Sequence, residues 1–176
     1  NPHSGLSVIW PGDPVNTYRL IDYCELCLTL GSTVSLEAAV RGCPSLVAKR
    51  AHFYQRGFAT DLADAADYEQ TLDRMIGQPI TREQVRLAFR FAHTYFFRLG
   101  VRFPLVQVER VHEARPAYSR IEELAPGKDH SLDQICNWLL EGTPLYPEPG
   151  AHAQRSQAEE DLIDQVLARR ARVSGC

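Results

Sequence analysis

The chain has 176 residues, 44% of them hydrophobic, with 19 Lys and Arg set against 22 Asp and Glu. That is enough apolar material for one compact domain, or for a domain with a helical appendage, and it excludes a disordered tail. A net charge of -3 gives no basic surplus for a nucleic-acid partner, and no apolar run approaches the roughly 18 to 20 residues of a membrane-spanning helix. The opening "NPHSGLSVIW" lacks the basic-then-apolar pattern of a secretory signal and has no Met, so the expectation is a cytoplasmic protein represented by its later half.

In chain order, "LSVIW" (6–10) closed by "PGDP" predicts a buried strand and a loop. Asn16 or Thr17 can cap a short helix through "TYRLIDYC", with Leu20, Ile21 and Cys24 on one face. "LCLTL" (26–30) is too short for a helix and predicts a strand. Ser32 can cap a second helix, "TVSLEAAVR", with Leu36, Ala39 and Val40 facing the sheet, Gly42 as its stop and Pro44 just beyond. "SLVA" (45–48) predicts the next strand. Alternating strands and helices imply βαβ units and a parallel sheet.

From about Asp67 the pattern reads as helical to the end. Thr81-x-x-Gln84, Ser131-x-x-Gln134 and Ser156-x-x-Glu159 are capping-box signatures, each opening a helix. In the longest, Val85, Ala88, Phe89, Ala92, Phe96 and Leu99 recur at helical spacing and predict a core face. Arg82, Arg86, Arg90 and His93 form a basic stripe elsewhere on it, expected to be solvated, with an anionic partner or a membrane surface as its other use. "GTPLYPEPG" (142–150) is a Pro-rich linker, and the last helix, about 157–172, is expected to attach loosely. The expected fold class is therefore α/β, a parallel-sheet part over 1–78, a helical extension over 79–142, and linker plus C-terminal helix over 143–176.

Chemistry concentrates where the second strand gives way to a helix. In an open parallel sheet, ligands bind beyond the carboxyl ends of the strands. Gly31 permits close backbone approach there, and Ser32 and Thr33 add hydroxyls to the unpaired N–H groups of the first helical turn. The turn suits a phosphate; it equally suits plain helix capping. Glu37 can accept hydrogen bonds from a sugar or ribose diol, or pair with Arg41 one turn on. The five cysteines, Cys24, Cys27, Cys43, Cys136 and Cys176, read as reduced thiols, and Cys24-x-x-Cys27 as small apolar residues rather than a metal site. The acids of "DLADAAD" (61–67) read as a solvated helix start, and no metal or cofactor is expected.

The block "GSTVSLEAAVRGCPSLVA", with "DPVNTYRLIDYCELCLTL" before it and "HFYQRGF" after it, resembles the donor-side domain of GT-B glycosyltransferases. In particular it is similar to bacterial capsule and surface-polysaccharide biosynthesis proteins, including the Kdo-transferase-like group. The matching positions are Thr17, Tyr18, Leu20, Ile21 and Asp22, then Gly31, Ser32, Thr33, Glu37, Ala38, Gly42 and Pro44. A weaker likeness runs through "FAHTYFFRLGVRFPL". The resemblance implies a Rossmann-like sheet forming the C-terminal lobe of a GT-B fold, with the N-terminal lobe missing. Gly31, Ser32 and Thr33 would hold the donor phosphate, Glu37 a hydroxyl of the nucleotide or sugar, and Lys49 and Arg50 the leaving phosphate; Tyr54 and Arg56 would be further donor contacts. The implied donor is CMP-Kdo or a UDP-sugar, and the acceptor a growing capsule or surface polysaccharide or a glycolipid, at the inner face of the cytoplasmic membrane. His52 is the best local histidine, while the acceptor's base would come from the missing lobe. Ser35 stands where many such proteins have Gly, an expected obstacle to the sugar. The alternatives are a CDP-glycerol-type glycerophosphotransferase, a sugar-nucleotide epimerase lobe, or a non-catalytic protein-interaction domain.

Overall fold

The computed structural model describes residues 5–62, 64–110, 112–145 and 156–174. The chain divides into two compact units, one of residues 1–92 with 155–176 and the other of residues 93–154. The first unit is mixed α/β around a small parallel sheet.

Helix α1 (Thr17–Tyr23) is capped by Asn16, whose side chain accepts from the Arg19 N–H at 3.2 Å. Strand β1 (Cys27–Thr29) follows, then α2 (Val34–Val40) and β2 (Ser45–Val47). A loop with no helix then leads to β3 (Thr60–Asp61). The sheet order is β1-β2-β3, all parallel, with Leu28 opposite Leu46 and Leu46 opposite Thr60. Helix α2 stops in a Schellman arrangement: Gly42 takes φ +83°, its N–H donates to the Ala39 carbonyl at 3.0 Å, and the Cys43 N–H donates to the Ala38 carbonyl at 2.9 Å. Helix α3 (Tyr68–Met75) and α4 (Arg82–His93) continue the unit, α4 opening on the reciprocal Thr81–Gln84 box read from the sequence.

Two sequence expectations fail in this unit. Residues 6–10 form no strand: Trp10 is 69% exposed, and its N–H donates to the Asp13 carboxylate at 2.7 Å in a turn. An apolar run becomes a strand only where a ladder accepts it, and no described strand pairs with these residues. The C-terminal helix α6 (Gln157–Ser174) is not loosely attached. Its Ile163 and Val166 lie in the core with Leu36 and Ala39 of α2, Val47 of β2, Phe53 and Phe58 of the long loop, and Val85 and Ala88 of α4. Each such side chain contributes ~1.5–3 kcal/mol by leaving water, so α6 belongs to the first unit's fold.

The Arg stripe of α4 is where α6 docks. Arg90 grips Glu159 with Nε and Nη2, at 2.6 and 2.8 Å. Arg82 and Arg86 share Glu160, at 2.8 and 2.5 Å, and Arg82 also bonds Asp164. Arg86 is buried. The stripe expected to be solvated or to meet a membrane thus has its anionic partner within the chain, some 70 residues on. At the other end of α6, Arg170 donates to the carbonyls of Ile21, Asp22 and Cys24, closing the last turn of α1.

The second unit carries a π-helical turn (Thr94–Arg98), strands β4 (Val106–Arg110) and β5 (Glu113–Pro116) as an antiparallel pair, and α5 (His130–Glu141). The pair corrects the reading of unbroken helix after Asp67; "VQVE" alternates with a strand's period, but no burial accompanies it. Phe96 and Leu99, expected in the core, are exposed, because α4 stops at His93 and the wider π turn rephases the residues beyond it. Helix α5 is capped by Asp129 through the Leu132 N–H at 2.8 Å, two residues before the expected Ser131. The linker residues 146–155 and Cys176 lie outside the described residues.

Candidate functional site

Because β1, β2 and β3 run parallel, their carboxyl ends share one edge of the sheet. Residues 30–33 leave β1 there, residues 48–51 leave β2, and Leu62 leaves β3. Gly31 takes φ +137°, a conformation closed to most side chains. A methyl group built on it would stand 3.5 Å from the Ala51 side chain and 3.6 Å from the Lys49 carbonyl oxygen, so the hydroxyl-bearing turn abuts the loop that carries the basic pair.

The turn is braced from beneath. The Gly31 N–H donates to Thr29 Oγ1 at 3.3 Å, and that hydroxyl shares a 2.7 Å hydrogen bond with the Ser35 hydroxyl. Ser35 is fully buried, and its carbonyl accepts from the Ser45 hydroxyl at 3.3 Å. It therefore ties α2 to β1 and β2 and does not crowd the outer surface, contrary to the expected obstacle. Ser32 caps in part, its Oγ accepting from the Val34 N–H at 3.2 Å, whereas Thr33 makes no side-chain cap.

Lys49, Arg50 and Tyr54 line a cleft of about 320 Å³ with Ala48, Leu62, Asp64 and Ala65. That volume is within the range of small-ligand sites. The Arg50 guanidinium lies 5.2 Å from the centre of the Tyr54 ring, a cation–π contact between two residues that line the cleft. Just after Tyr54 the loop is held by Asp61, whose Oδ2 accepts from the N–H of Gln55, a residue at φ +58°. Asp61 Oδ1 is buried with no hydrogen-bond partner. Asp64 caps the 3-10 turn that follows, accepting from the Ala66 N–H at 2.9 Å, so the acids of "DLADAAD" have separate local tasks.

Gly31, Ser32, Thr33, Glu37 and Arg56 do not line this cleft. Glu37 lies beside Tyr18, and its carboxylate, as a hydrogen-bond acceptor first and by its charge second, pushes the Tyr18 hydroxyl above its ordinary value. Arg41, the other expected partner of Glu37, pairs instead with Asp22 at 2.9 and 2.5 Å, holding that carboxyl below its ordinary value, and lies over the Tyr18 ring. Arg56 sits in the turn after Phe53 and does not line the cleft. His52 lies edge-on to Phe53 at 4.9 Å. Thr29 was not singled out in the sequence, and Asp61 and Asp64 were read only as part of a solvated helix start; the signal available for them was the strand end before each loop.

Cys24, Cys27 and Cys43 gather in a small apolar cluster with Ile21 and Ala38, where burial pushes the Cys43 thiol up to about 11. Among the described residues no group of His, Cys, Asp and Glu is arranged to hold a metal ion. No described helix is long and apolar enough to cross a membrane. A second cleft, about 520 Å³, opens at the opposite edge of the sheet between Pro44, Ile80, Leu167 and Arg170; the cation it presents is already committed to α1. Compared with known proteins, the chain matches no family model, no curated protein and no solved structure.

Proposed function

We propose that the carboxyl edge of the sheet binds the phosphates of a nucleotide-activated sugar. On this reading the chain is the Rossmann-like, donor-binding lobe of a GT-B glycosyltransferase that extends a capsule or surface glycan. The observation that carries the reading is the contact between the Gly31-Ser32-Thr33 turn and the Lys49-Arg50 loop at one sheet edge. On this reading the hydroxyls of Ser32 and Thr33 from one loop and the cations of Lys49 and Arg50 from the next would meet the phosphate. As the glycosidic bond breaks, the leaving nucleotide gains negative charge, and Lys49 and Arg50 stabilise it more than they stabilise the intact donor. Tyr54, clamped by Arg50, offers an aromatic face to the nucleoside or sugar. The donor is CMP-Kdo in the first instance and a UDP-sugar in the second. The acceptor and the base that deprotonates it belong to the N-terminal lobe.

Calorimetric titration with CMP, CDP, UDP and GDP tests this, with Ser32→Ala/Thr33→Ala and Lys49→Ala/Arg50→Ala alongside. The expected result is binding of one nucleotide, weakened roughly tenfold or more in each double variant, about 1.4 kcal/mol. Binding of none, or binding indifferent to both variants, would overturn the reading.

A further inference from the structure

The cleft at the amino edge of the parallel sheet has a wall that the nucleotide reading leaves unused. It measures about 520 Å³, a size usual for small-ligand sites, and every residue lining it belongs to the first unit. Three parts of that unit build it. Glu25 and Pro44 come from the segments entering β1 and β2, Ile80 from the turn between α3 and α4, and Leu167 and Arg170 from α6. Ile80 is buried and Leu167 packs against the core, so the apolar side of the cleft is a fixed surface of the unit. Gly42, which also lines it, lets α6 approach: a methyl group built there would stand 3.4 Å from Arg170 Cβ.

Two opposite charges border this apolar surface, and they do not cancel each other. Arg170 donates from Nη1 to the Ile21 and Asp22 carbonyls and from Nη2 to that of Cys24, which fixes its guanidinium. The group has further N–H donors, on Nε and Nη2, beyond those bonds. No carboxylate among the described residues pairs with it; Asp22, whose carbonyl it bonds, gives its own carboxylate to Arg41 and Arg169. Glu25 has neither a hydrogen bond nor an ion pair among the described residues.

We infer that this cleft binds a free α-amino acid with an apolar side chain. Its ammonium group meets Glu25, its carboxylate the Arg170 guanidinium, and its side chain Pro44, Ile80 and Leu167. A zwitterion satisfies both charges at once. A simple carboxylic acid would set a second negative charge beside Glu25, and a simple amine a second positive charge beside Arg170. The apolar surface rewards a branched or aromatic side chain over the hydrogen of glycine. The inference stands apart from the nucleotide reading, because Lys49, Arg50 and Tyr54 line a separate cleft that shares no residue with this one.

Calorimetric titration of the full chain with L-leucine, leucinamide, 4-methylpentanoate and glycine tests it. Leucinamide lacks the carboxylate, 4-methylpentanoate the ammonium group and glycine the side chain, so each removes one contact without altering the protein. The expected result is binding of L-leucine, weakened roughly tenfold or more for each of the other three and for L-leucine itself in Glu25→Gln. Glu25 is exposed, so Glu25→Gln keeps the wild-type circular dichroism. Arg170 is left intact because it closes α1, and leucinamide probes its contact instead. Lys49→Ala/Arg50→Ala should bind L-leucine as the wild type does, which separates this site from the nucleotide reading. No binding of L-leucine at ~10 mM would overturn the proposal. So would any of the three other compounds binding as well as L-leucine, or binding unaffected by Glu25→Gln.

Discussion

Arg82, Arg86 and Arg90 and, a few residues on, Arg98 and Arg102 are one residue type in one basic stretch, yet they have opposite fates. The first three are consumed by Glu159, Glu160 and Asp164 of a helix far along the chain. The last two face no carboxylate among the described residues. Helical spacing displays the first three on one face of α4, whereas Arg98 ends the π turn and Arg102 lies beyond it, so only a tertiary partner in the first case turns the cations into internal glue.

The largest effect should come from the docked side. Ile163→Asp places a charge in a fully buried position and should cost ~4–5 kcal/mol, enough to unfold the first unit in a urea titration followed by circular dichroism. An unchanged midpoint would remove α6 from the core and erase the contrast. Gly42→Ala should cost ~1–2 kcal/mol, because the residue must hold φ +83° and the new methyl would stand 3.0 Å from Val166 Cγ1. The urea midpoint reads this directly.

Acid should then separate the two arginine groups. Hydrogen bonds from Arg90, and from Arg82 and Arg86, hold the Glu159 and Glu160 carboxyls below their ordinary value of 4.5. A folded-state value below the unfolded one gives stability that is fully present above about pH 4.5 and is lost as pH falls through the lowered folded values. The urea midpoint should therefore drop in that window, and Arg90→Gln should flatten the drop while Arg98→Gln leaves it unaltered. The smallest effect is Phe97→Ser, which should change stability by no more than ~0.5 kcal/mol, since the ring is exposed in the folded state. A clear loss of stability would show that Phe97 has a packing role in the second unit.

What could be read from the sequence was what local chemistry decides. Asn16 as a cap, Gly42 as a stop, the Thr81–Gln84 box and the apolar runs at β1 and β2 depend on neighbours within a few residues, and all appear in the fold. The run at 6–10 misled because an apolar stretch specifies a strand only when another strand receives it. Strand β3 went unnoticed because Thr60 and Asp61 are two residues with no apolar signature. At the candidate site, the Gly-Ser-Thr turn and the Lys-Arg pair were legible as strand ends. The bracing hydroxyl pair of Thr29 and Ser35, and the diversion of Glu37 to Tyr18, depend on packing between elements and were not.

Arg170 closes the end of α1 across a separation of 146 residues. During synthesis α1, the sheet and the entire second unit leave the ribosome before the residue that completes the first unit does. Until α6 emerges, the surface that will receive Ile163 and Val166 stands open beside an unneutralised arginine row, a state that invites chaperone capture or aggregation. The order of manufacture thus opposes the order of assembly, because the first unit's core closes only after α6 has been made.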